Sequence, residues 1–291
     1  MKKIKIISLI ILTLGIVSLV LGISLGLKAN EVKEFFTNGH KYNKVDQVLI
    51  DEEVNAIIIN SDIRVINIIS NDQENITIDY YKQEDETFEI DVLNNELIIN
   101  QKQKQRLFSF TFTPEKYLTI DIKVPKQTKV KIDIKSSTGS VSLKEFIVTD
   151  LNVNLDTGSI KVEDINVLEN TTLKTSTGSI RLKNSNIING KLNTSTGSVY
   201  IDNVEATNVE VNLSTGDIKT TKLNAQLINL KTSTGSIKVE GLYNNHTLDL
   251  RTNTGSVKVD NDTKSKEYYL NKGNDKIVAH TNTGSINIKT K

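Results

Sequence analysis

A Thr-Gly pair recurs eight times in the second half of this 291-residue chain, at a nearly constant spacing. Successive glycines stand nineteen or twenty positions apart, except for a wider last interval between Gly255 and Gly284. A fixed period of this length is typical of a repeat protein in which similar units stack on one another. The repeat therefore constrains the fold more than any other feature. Its glycines are Gly139, Gly158, Gly178, Gly197, Gly216, Gly235, Gly255 and Gly284.

Apolar residues alternate with polar ones on both sides of each glycine. They stand two and four positions after it, as Ile180 and Leu182 do, and in most repeats five and seven positions before it, as Val211 and Val209 do. This alternation predicts two short strands per repeat, each with one buried face.

Two connectivities satisfy this pattern, a meander of antiparallel hairpins and a solenoid of parallel coils. Like residues recur in every column, and Ser-Thr-Gly-Ser is not the Asn-Gly turn of short hairpins. We therefore predict an all-β fold, a parallel β-solenoid (β-helix) of 19–20-residue coils. Each glycine would form a corner that requires positive φ or a close backbone approach. The sequence does not fix the handedness of the coil.

The chain divides into four predicted segments. Residues 1–27 form a transmembrane signal-anchor helix, 28–50 a tether, 51–135 a β-rich N-terminal cap region and 136–291 the Thr-Gly repeat solenoid. The cap region contains Ile59–Val65, which resembles a coil without its glycine, and an aromatic group at Phe108, Phe110 and Phe112. An atypical first unit is expected, because the first coil has no neighbour above it. The widest interval contains a polar stretch, 261–267, which we interpret as a loop that shields the terminal coil.

The N-terminal segment 1–27 is suited to a membrane. An uncharged run, Ile6–Leu27, follows three lysines. At about 1.5 Å per residue it spans roughly 33 Å, enough to cross a hydrocarbon core of about 30 Å. The lysines favour a cytoplasmic N-terminus and an extracytoplasmic C-terminal domain. A cleaved signal peptide followed by secretion is the alternative, although no Ala-x-Ala-like site is present.

Composition argues against several kinds of site. The chain has no Cys and three scattered His, so neither a disulfide nor a metal or cofactor site is predicted. Beyond Leu27 it has 33 basic and 35 acidic residues, a net charge of −2, which indicates no nucleic-acid partner. Polysaccharide-cleaving β-helices need clustered carboxylates. The acids of the turn columns, Asp156 and Asp217, are three coils apart, so no catalytic residue and no enzymatic activity are predicted.

A column of cations is the most distinctive candidate for binding. On a solenoid, residues three positions after the glycines would form a stripe with one cation every 4.8 Å or so. Such a stripe could bind a polyanion, for example wall teichoic acid or lipid headgroups. The alternative is a solvated face, partly neutralised by acids two residues further on, such as Glu163 and Glu240. The stripe comprises Lys161, Arg181, Lys219, Lys238 and Lys258.

Five repeats carry Thr-x-Thr before the glycine, a pattern known from ice-binding solenoids. The first threonine is replaced by Leu155 and Leu213 in two coils, which indicates that its column faces the core. Internal threonine ladders between coils are therefore the favoured interpretation.

The order of the segments resembles the bacterial putative-adhesin family, a domain of unknown function with β-strand repeats. The resemblance rests on the Ile-rich strands at 56–69, on Tyr117–Pro125 and on the serial Thr-Gly-Ser units, and it covers about residues 50–291. It implies an envelope-associated β-solenoid, as in low-GC Gram-positive bacteria, without agreed catalytic residues.

The sequence thus predicts a non-catalytic, membrane-anchored protein that binds or scaffolds at the bacterial cell envelope. Its partner would be a cell-wall polyanion or an envelope protein. Two alternatives remain open, a self-associating filament element and an envelope-stress sensor that regulates a membrane protein. The oligomeric state is not predicted.

Overall fold

The computed structural model of the protein describes residues 42–83, 86–103, 114–242, 246–260 and 262–290. These residues form an all-β fold, and one 3-10 turn, Glu115–Tyr117, is the helical segment among them. The first strands are β1 (Tyr42–Lys44), β2 (Val48–Ile50), β3 (Ala56–Ile63), β4 (Val65–Asn71), β5 (Ile76–Gln83), β6 (Glu86–Leu93), β7 (Glu96–Gln103) and β8 (Thr119–Pro125).

The remaining strands carry the repeat. The first eight of them are β9 (Lys129–Thr138), β10 (Val141–Lys144), β11 (Ile147–Thr157), β12 (Ile160–Glu163), β13 (Asn166–Val167), β14 (Asn170–Thr177), β15 (Ile180–Asn186) and β16 (Asn189–Thr196). They are followed by β17 (Val199–Thr215), β18 (Ile218–Thr234), β19 (Ile237–Leu242), β20 (His246–Thr254), β21 (Val257–Val259), β22 (Asp262–Lys264), β23 (Glu267–Leu270), β24 (Asp275–Thr283) and β25 (Ile286–Thr290).

Equivalent strands of neighbouring repeats pair in parallel. For example, Ile160 pairs with Ile180, and Ile180 pairs with Val199, one coil further on. We name each coil after its corner glycine. Nine steps of about 4.8 Å separate the first and last of ten coils, so the stack is roughly 43 Å long. The parallel pairing excludes the hairpin meander for the repeats.

The core is an aliphatic column inside the coils. Ile180, Val199 and Ile218 lie one above another and are fully buried, as are Leu173 and Leu192 on the opposite wall. β-branched side chains suit this environment because they pack well on a pleated surface. Each coil buries its apolar residues against its neighbours, which explains why a single repeat would have no core of its own.

The corner glycines are required both by their backbone conformation and by the space available. Their φ angles lie between 135° and 149°, a region that is essentially restricted to glycine. A Cβ atom built on Gly197 would lie 2.0 Å from the carbonyl oxygen of Gly178 in the neighbouring coil. The other seven corners are equally tight, with a carbonyl oxygen at 1.7–2.1 Å. Stacking therefore brings the backbones of adjacent corners closer than any side chain would allow.

Hydroxyl groups bind the corners together. The buried Thr194 hydroxyl donates a hydrogen bond to the carbonyl of Gly178 at 3.0 Å, and Thr175, Thr232, Thr252 and Thr281 make the equivalent bond. The first threonine of Thr-x-Thr thus faces inward, as predicted, although its partner is a glycine carbonyl rather than another threonine. This orientation leaves no exposed double row of threonines of the ice-binding kind.

At the N-terminal end the order of the coils differs from the order of the sequence. The coil of β3 and β4 lies between the later coil of β7 and β8 and the Gly139 coil. Arg64 takes the corner position of this coil, since Gly139 packs directly on its carbonyl group. The antiparallel strands β5 and β6 then cover the outermost coil. The turn between β6 and β7 is formed by Asn94 and Asn95, both with positive φ.

A buried ion pair fastens this N-terminal end. The Arg64 guanidinium, with its side chain fully buried, donates to the Glu86 carboxylate and, at 2.7 Å, to the carbonyl of Tyr117. Gln101 also donates to Glu86, and its own carbonyl oxygen accepts from Ser61 at 2.7 Å. These bonds compensate the cost of removing both charges from water. The network joins four separate parts of the chain.

The C-terminal end shows the same exchange of order. The Gly284 coil lies between the Gly235 and Gly255 coils, so the spatial order of the last coils differs from their order in the sequence. The prediction that residues 261–267 form a loop is also wrong in part. Parts of it form β22 and β23, which pair antiparallel with β21 and β20. These two strands cover the outer edge of the Gly255 coil, which is the shielding role expected of the segment.

Other predictions fall partly or wholly outside the described residues. The predicted tether was too long, because Tyr42–Lys44 and Val48–Ile50 are strands that pair with β5. The transmembrane segment 1–27 and Phe108, Phe110 and Phe112 lie outside the described residues. Aromatic contacts nevertheless concentrate at this end, where the rings of Tyr80 and Phe88 stack at 4.2 Å.

We expect Gly197→Ala to lower the free energy of unfolding by more than about 3 kcal/mol, because it combines forbidden φ with a backbone clash. Gly241→Ala is the matched control. Its φ is 73° and the nearest atom to its Cβ would be 3.5 Å away, so it should cost only about 1 kcal/mol. Urea denaturation of both variants measures the difference. An equal loss of unfolding free energy in the two variants would show that the close stacking of the corners is not what requires glycine at position 197.

Candidate binding face

The predicted cations lie on one exposed ladder. The strands that follow the corner glycines place one outward side chain per coil in register, three positions after each glycine. We call this row the first ladder. Along the stack it reads Ser142, Lys161, Arg181, Tyr200, Lys219, Lys238, Asn287 and Lys258. Six steps of about 4.8 Å separate Lys161 from Lys258, so the cationic part of the row is roughly 29 Å long. Because of the exchanged coils, Asn287 separates Lys238 from Lys258, which the sequence order did not predict.

A second ladder, five positions after each glycine, alternates in charge. We call the two ladders together face A. The second ladder holds three cations and four acids, so face A carries a net charge of +4 when the five cations of the first ladder are included. The second ladder reads Lys144, Glu163, Lys183, Asp202, Thr221, Glu240, Lys289 and Asp260.

Two acids of the second ladder engage cations of the first. Glu163 pairs with Lys161 at 2.8 Å and with Lys183 at 3.1 Å, and Glu240 pairs with Lys238 at 2.8 Å. The hydrogen bonds from Lys161 and Lys183 lower the pKa of Glu163 below its ordinary value of 4.5. The bond from Lys238 lowers the pKa of Glu240 in the same way. Both carboxylates therefore stay charged at neutral pH and weaken the cationic stripe locally.

The middle of the first ladder has a different character. The Arg181 guanidinium lies over the Tyr200 ring, 5.1 Å from its centroid. On the other side of Tyr200, Lys219 is in no ion pair within the described part of the chain. Its neighbour on the second ladder is Thr221, and the acid that its charge affects is Glu240, one coil further on, whose pKa it helps to lower. Tyr200 is not among the residues that the sequence predicted to bind. The sequence did contain a signal for its position, because Tyr200 stands one repeat after Arg181 and one repeat before Lys219.

On the face that precedes the corner glycines, the described column four positions before each glycine has Lys135, Lys174, Lys231 and Arg251, but no two of these cations occupy adjacent rungs. Here Lys174 and Lys231 are separated by Asn193 and Asn212, which pair through their side-chain amides at 3.2 Å. Near one edge of this face Asn170, Asn189 and Asn208 form an amide ladder beneath a depression of about 380 Å³. This ladder was not predicted from the sequence. Its asparagines recur once per repeat, which would have been the signal.

Neither a metal site nor a membrane-spanning helix is found in the part of the chain that the structure describes. No group of three or more His, Asp or Glu side chains could hold a metal ion among residues 42–83, 86–103, 114–242, 246–260 and 262–290. Within the same ranges no helix is long and apolar enough to cross a membrane.

We expect the double variant Glu163→Gln and Glu240→Gln to bind inorganic polyphosphate about threefold more tightly than wild type at neutral pH, because it frees Lys161 and Lys238. Wild type should approach this affinity as pH falls through the lowered pKa values of the two carboxylates. Titration of the full chain in detergent measures both effects. Glu52→Gln with Glu53→Gln, on the exposed N-terminal end, is the control, and an equal gain there would indicate a non-local charge effect.

Comparison with known proteins agrees with this architecture. A family model described as Toastrack DUF4097 matches residues 54–290. The chain is similar to the crystal structure of a putative adhesin from Bacteroides fragilis NCTC 9343, with 16% identity and a TM-score of 0.50 over 86% of this chain and 97% of that chain. At this identity the likeness shows the fold alone.

A second solved structure matches with a lower score. It is a putative cell adhesion protein from Clostridium sporogenes ATCC 15579, with 13% identity and a TM-score of 0.27 over 86% of this chain and 100% of that chain. No curated protein sequence matches the chain. The family match covers most of the chain, as the resemblance to a repeat family of unknown function implied. The chain belongs to the Toastrack family, DUF4097.

Proposed function

We propose that the chain is a non-catalytic β-solenoid, anchored in the bacterial cell membrane by residues 1–27, that binds or scaffolds at the extracytoplasmic side of the envelope. Face A is its contact surface, and a polyanion of the cell wall is its ligand. The observation that carries the proposal is the first ladder, in which Lys161, Arg181, Lys219, Lys238 and Lys258 lie in one exposed row.

A row of cations suits a polymer better than a small molecule. Because the row is roughly 29 Å long, its cations would contact many anionic groups of one polymer molecule at once. Each contact is individually weak because exposed charges are screened by salt. Several contacts on one polymer act together, since the later ones form at high effective concentration. The affinity for the polymer would therefore depend on the number of cations in the row.

The distribution of charge along the molecule favours a wall polymer over lipid headgroups. Residues 42–128, at the end nearest the proposed anchor, contain sixteen acidic and nine basic residues, a net charge of −7. Residues 129–291 contain seventeen acidic and twenty-one basic residues, a net charge of +4. An anionic membrane surface would repel the first part. The repulsion would hold the basic part of the stack away from the membrane, towards the wall.

Covered ends favour a binding module over a filament. At one end β5 and β6 pair with the outermost coil, and at the other β22 and β23 do so. Open strand edges are what end-to-end assembly would need. Direct stacking of the coils of one molecule on those of another is therefore blocked at both ends, and sedimentation of the full chain in detergent distinguishes a monomer from a filament.

We expect the triple variant Lys219→Glu, Lys238→Glu and Lys258→Glu to raise the dissociation constant for purified wall teichoic acid by more than about tenfold, because it reverses the charge of the row. Lys174→Glu, Lys191→Glu and Lys231→Glu form the matched control, with the same change in net charge on the other face. Binding of the full chains is compared at one salt concentration. Unchanged binding of the face A variant would remove the proposed function.

We expect the full chain to remain in the membrane pellet after an alkaline wash, because the uncharged run Ile6–Leu27 is long enough to span the bilayer. The double variant Leu14→Arg and Leu19→Arg should be released, since charges at the centre of a span are costly. Fractionation of cells followed by intact-mass measurement detects both retention and cleavage. Release of the wild-type chain, shortened at its N-terminus, would contradict the anchor.

A further inference from the structure

Tyr200 distinguishes one part of face A from the rest. It is the one aromatic side chain on the described rungs of either ladder, and 37% of it is exposed. Its rung lies directly between those of Arg181 and Lys219. An exposed ring between two cations is unnecessary for a bare polyanion, which offers nothing for the ring to contact.

The groups around Tyr200 are available to a ligand. Lys219 and Asp202 are in no ion pair within the described residues, in contrast to Lys161 and Lys238 at neighbouring positions. Beside the ring, the second ladder presents the Asp202 carboxylate and the Thr221 hydroxyl in adjacent rungs. Asp202 can accept hydrogen bonds from hydroxyl groups, and Thr221 can donate or accept them. The surface therefore combines an aromatic ring, two cations and hydroxyl-binding groups.

We propose that Arg181, Tyr200 and Lys219, with Asp202 and Thr221, form a site for one sugar phosphate unit of an anionic polymer. The inference rests on the proposed function of face A and identifies the part of the polymer that is recognised. The negative face or the edge of the Tyr200 ring contacts the C–H groups of a pyranose. Arg181 and Lys219, each one rung away at about 4.8 Å, bind the phosphates on either side of the sugar. Arg181 can do so with two parallel hydrogen bonds.

The contact between Arg181 and Tyr200 has a simpler explanation, in which the ring only holds the guanidinium in place. The two explanations differ in what removal of the ring would do. A ring that only positions Arg181 would contribute equally to the binding of every polyanion. A ring that contacts sugar would contribute only when the polymer contains sugar.

The test compares two probes, a poly(glycosyl phosphate) and inorganic polyphosphate at equal phosphate concentration, with the full chain in detergent. Tyr200→Ala should weaken binding of the sugar polymer about fivefold and change binding of polyphosphate less than about twofold. Tyr200→Phe should bind both as wild type does, because it keeps the ring. Thermal unfolding of each variant controls for folding, since the side chain lies at the surface.

The remaining outcomes separate this inference from the proposed function. Equal weakening of both probes by Tyr200→Ala would overturn the sugar site and leave the polyanion face intact. Failure of wild type to bind either probe would overturn both.

Discussion

The close approach of adjacent corners is the constraint on which the whole structure depends. Parallel strands stack at about 4.8 Å, and the corner carbonyls come so near that a Cβ atom at Gly197 would meet the Gly178 oxygen at 2.0 Å. Inward threonines such as Thr194 then use the same carbonyl as acceptor, so the Gly178 carbonyl is not left unpaired. The repetition of glycine and threonine is therefore a packing requirement and implies no chemistry by itself.

The spacing that stacks the core also arranges the surface. Any residue type that recurs at the period of the repeat becomes a row, which explains how separate lysines such as Lys219 and Lys238 become neighbours. Rows of like charge are tolerated because the side chains are exposed and screened. The acids Glu163 and Glu240 limit the repulsion further by pairing with Lys161 and Lys238. Face A is thus cationic in its middle and more nearly balanced on either side.

Much of this could be predicted from the sequence, because period and alternation determine which side chains face inward. The all-β stack and the row of cations follow from them directly. The order of the last coils could not be predicted, since the coil of Gly284 carries the same columns as any other and fits beside Gly235 as well as Gly255 does. The role of Arg64 was equally hidden, because its partner Glu86 lies in an unrelated strand that carries no repeat. Tyr200 was not identified because a single aromatic residue does not form a column that recurs from repeat to repeat.

The exchanged coils at both ends have a consequence for how the molecule is completed during synthesis. The Gly255 coil emerges from the ribosome before the Gly284 coil, yet its inner edge is occupied by β24 and β25, which come later in the chain. In a copy that stops before Asp275, β19 and β21 would lack their common neighbour β25, and each would have an unpaired edge until the Gly255 coil packed directly on the Gly235 coil. The Gly255 coil thus gains its inner neighbour only after Asp275–Thr290 has been synthesised, so the stack is completed by a late insertion between two earlier coils.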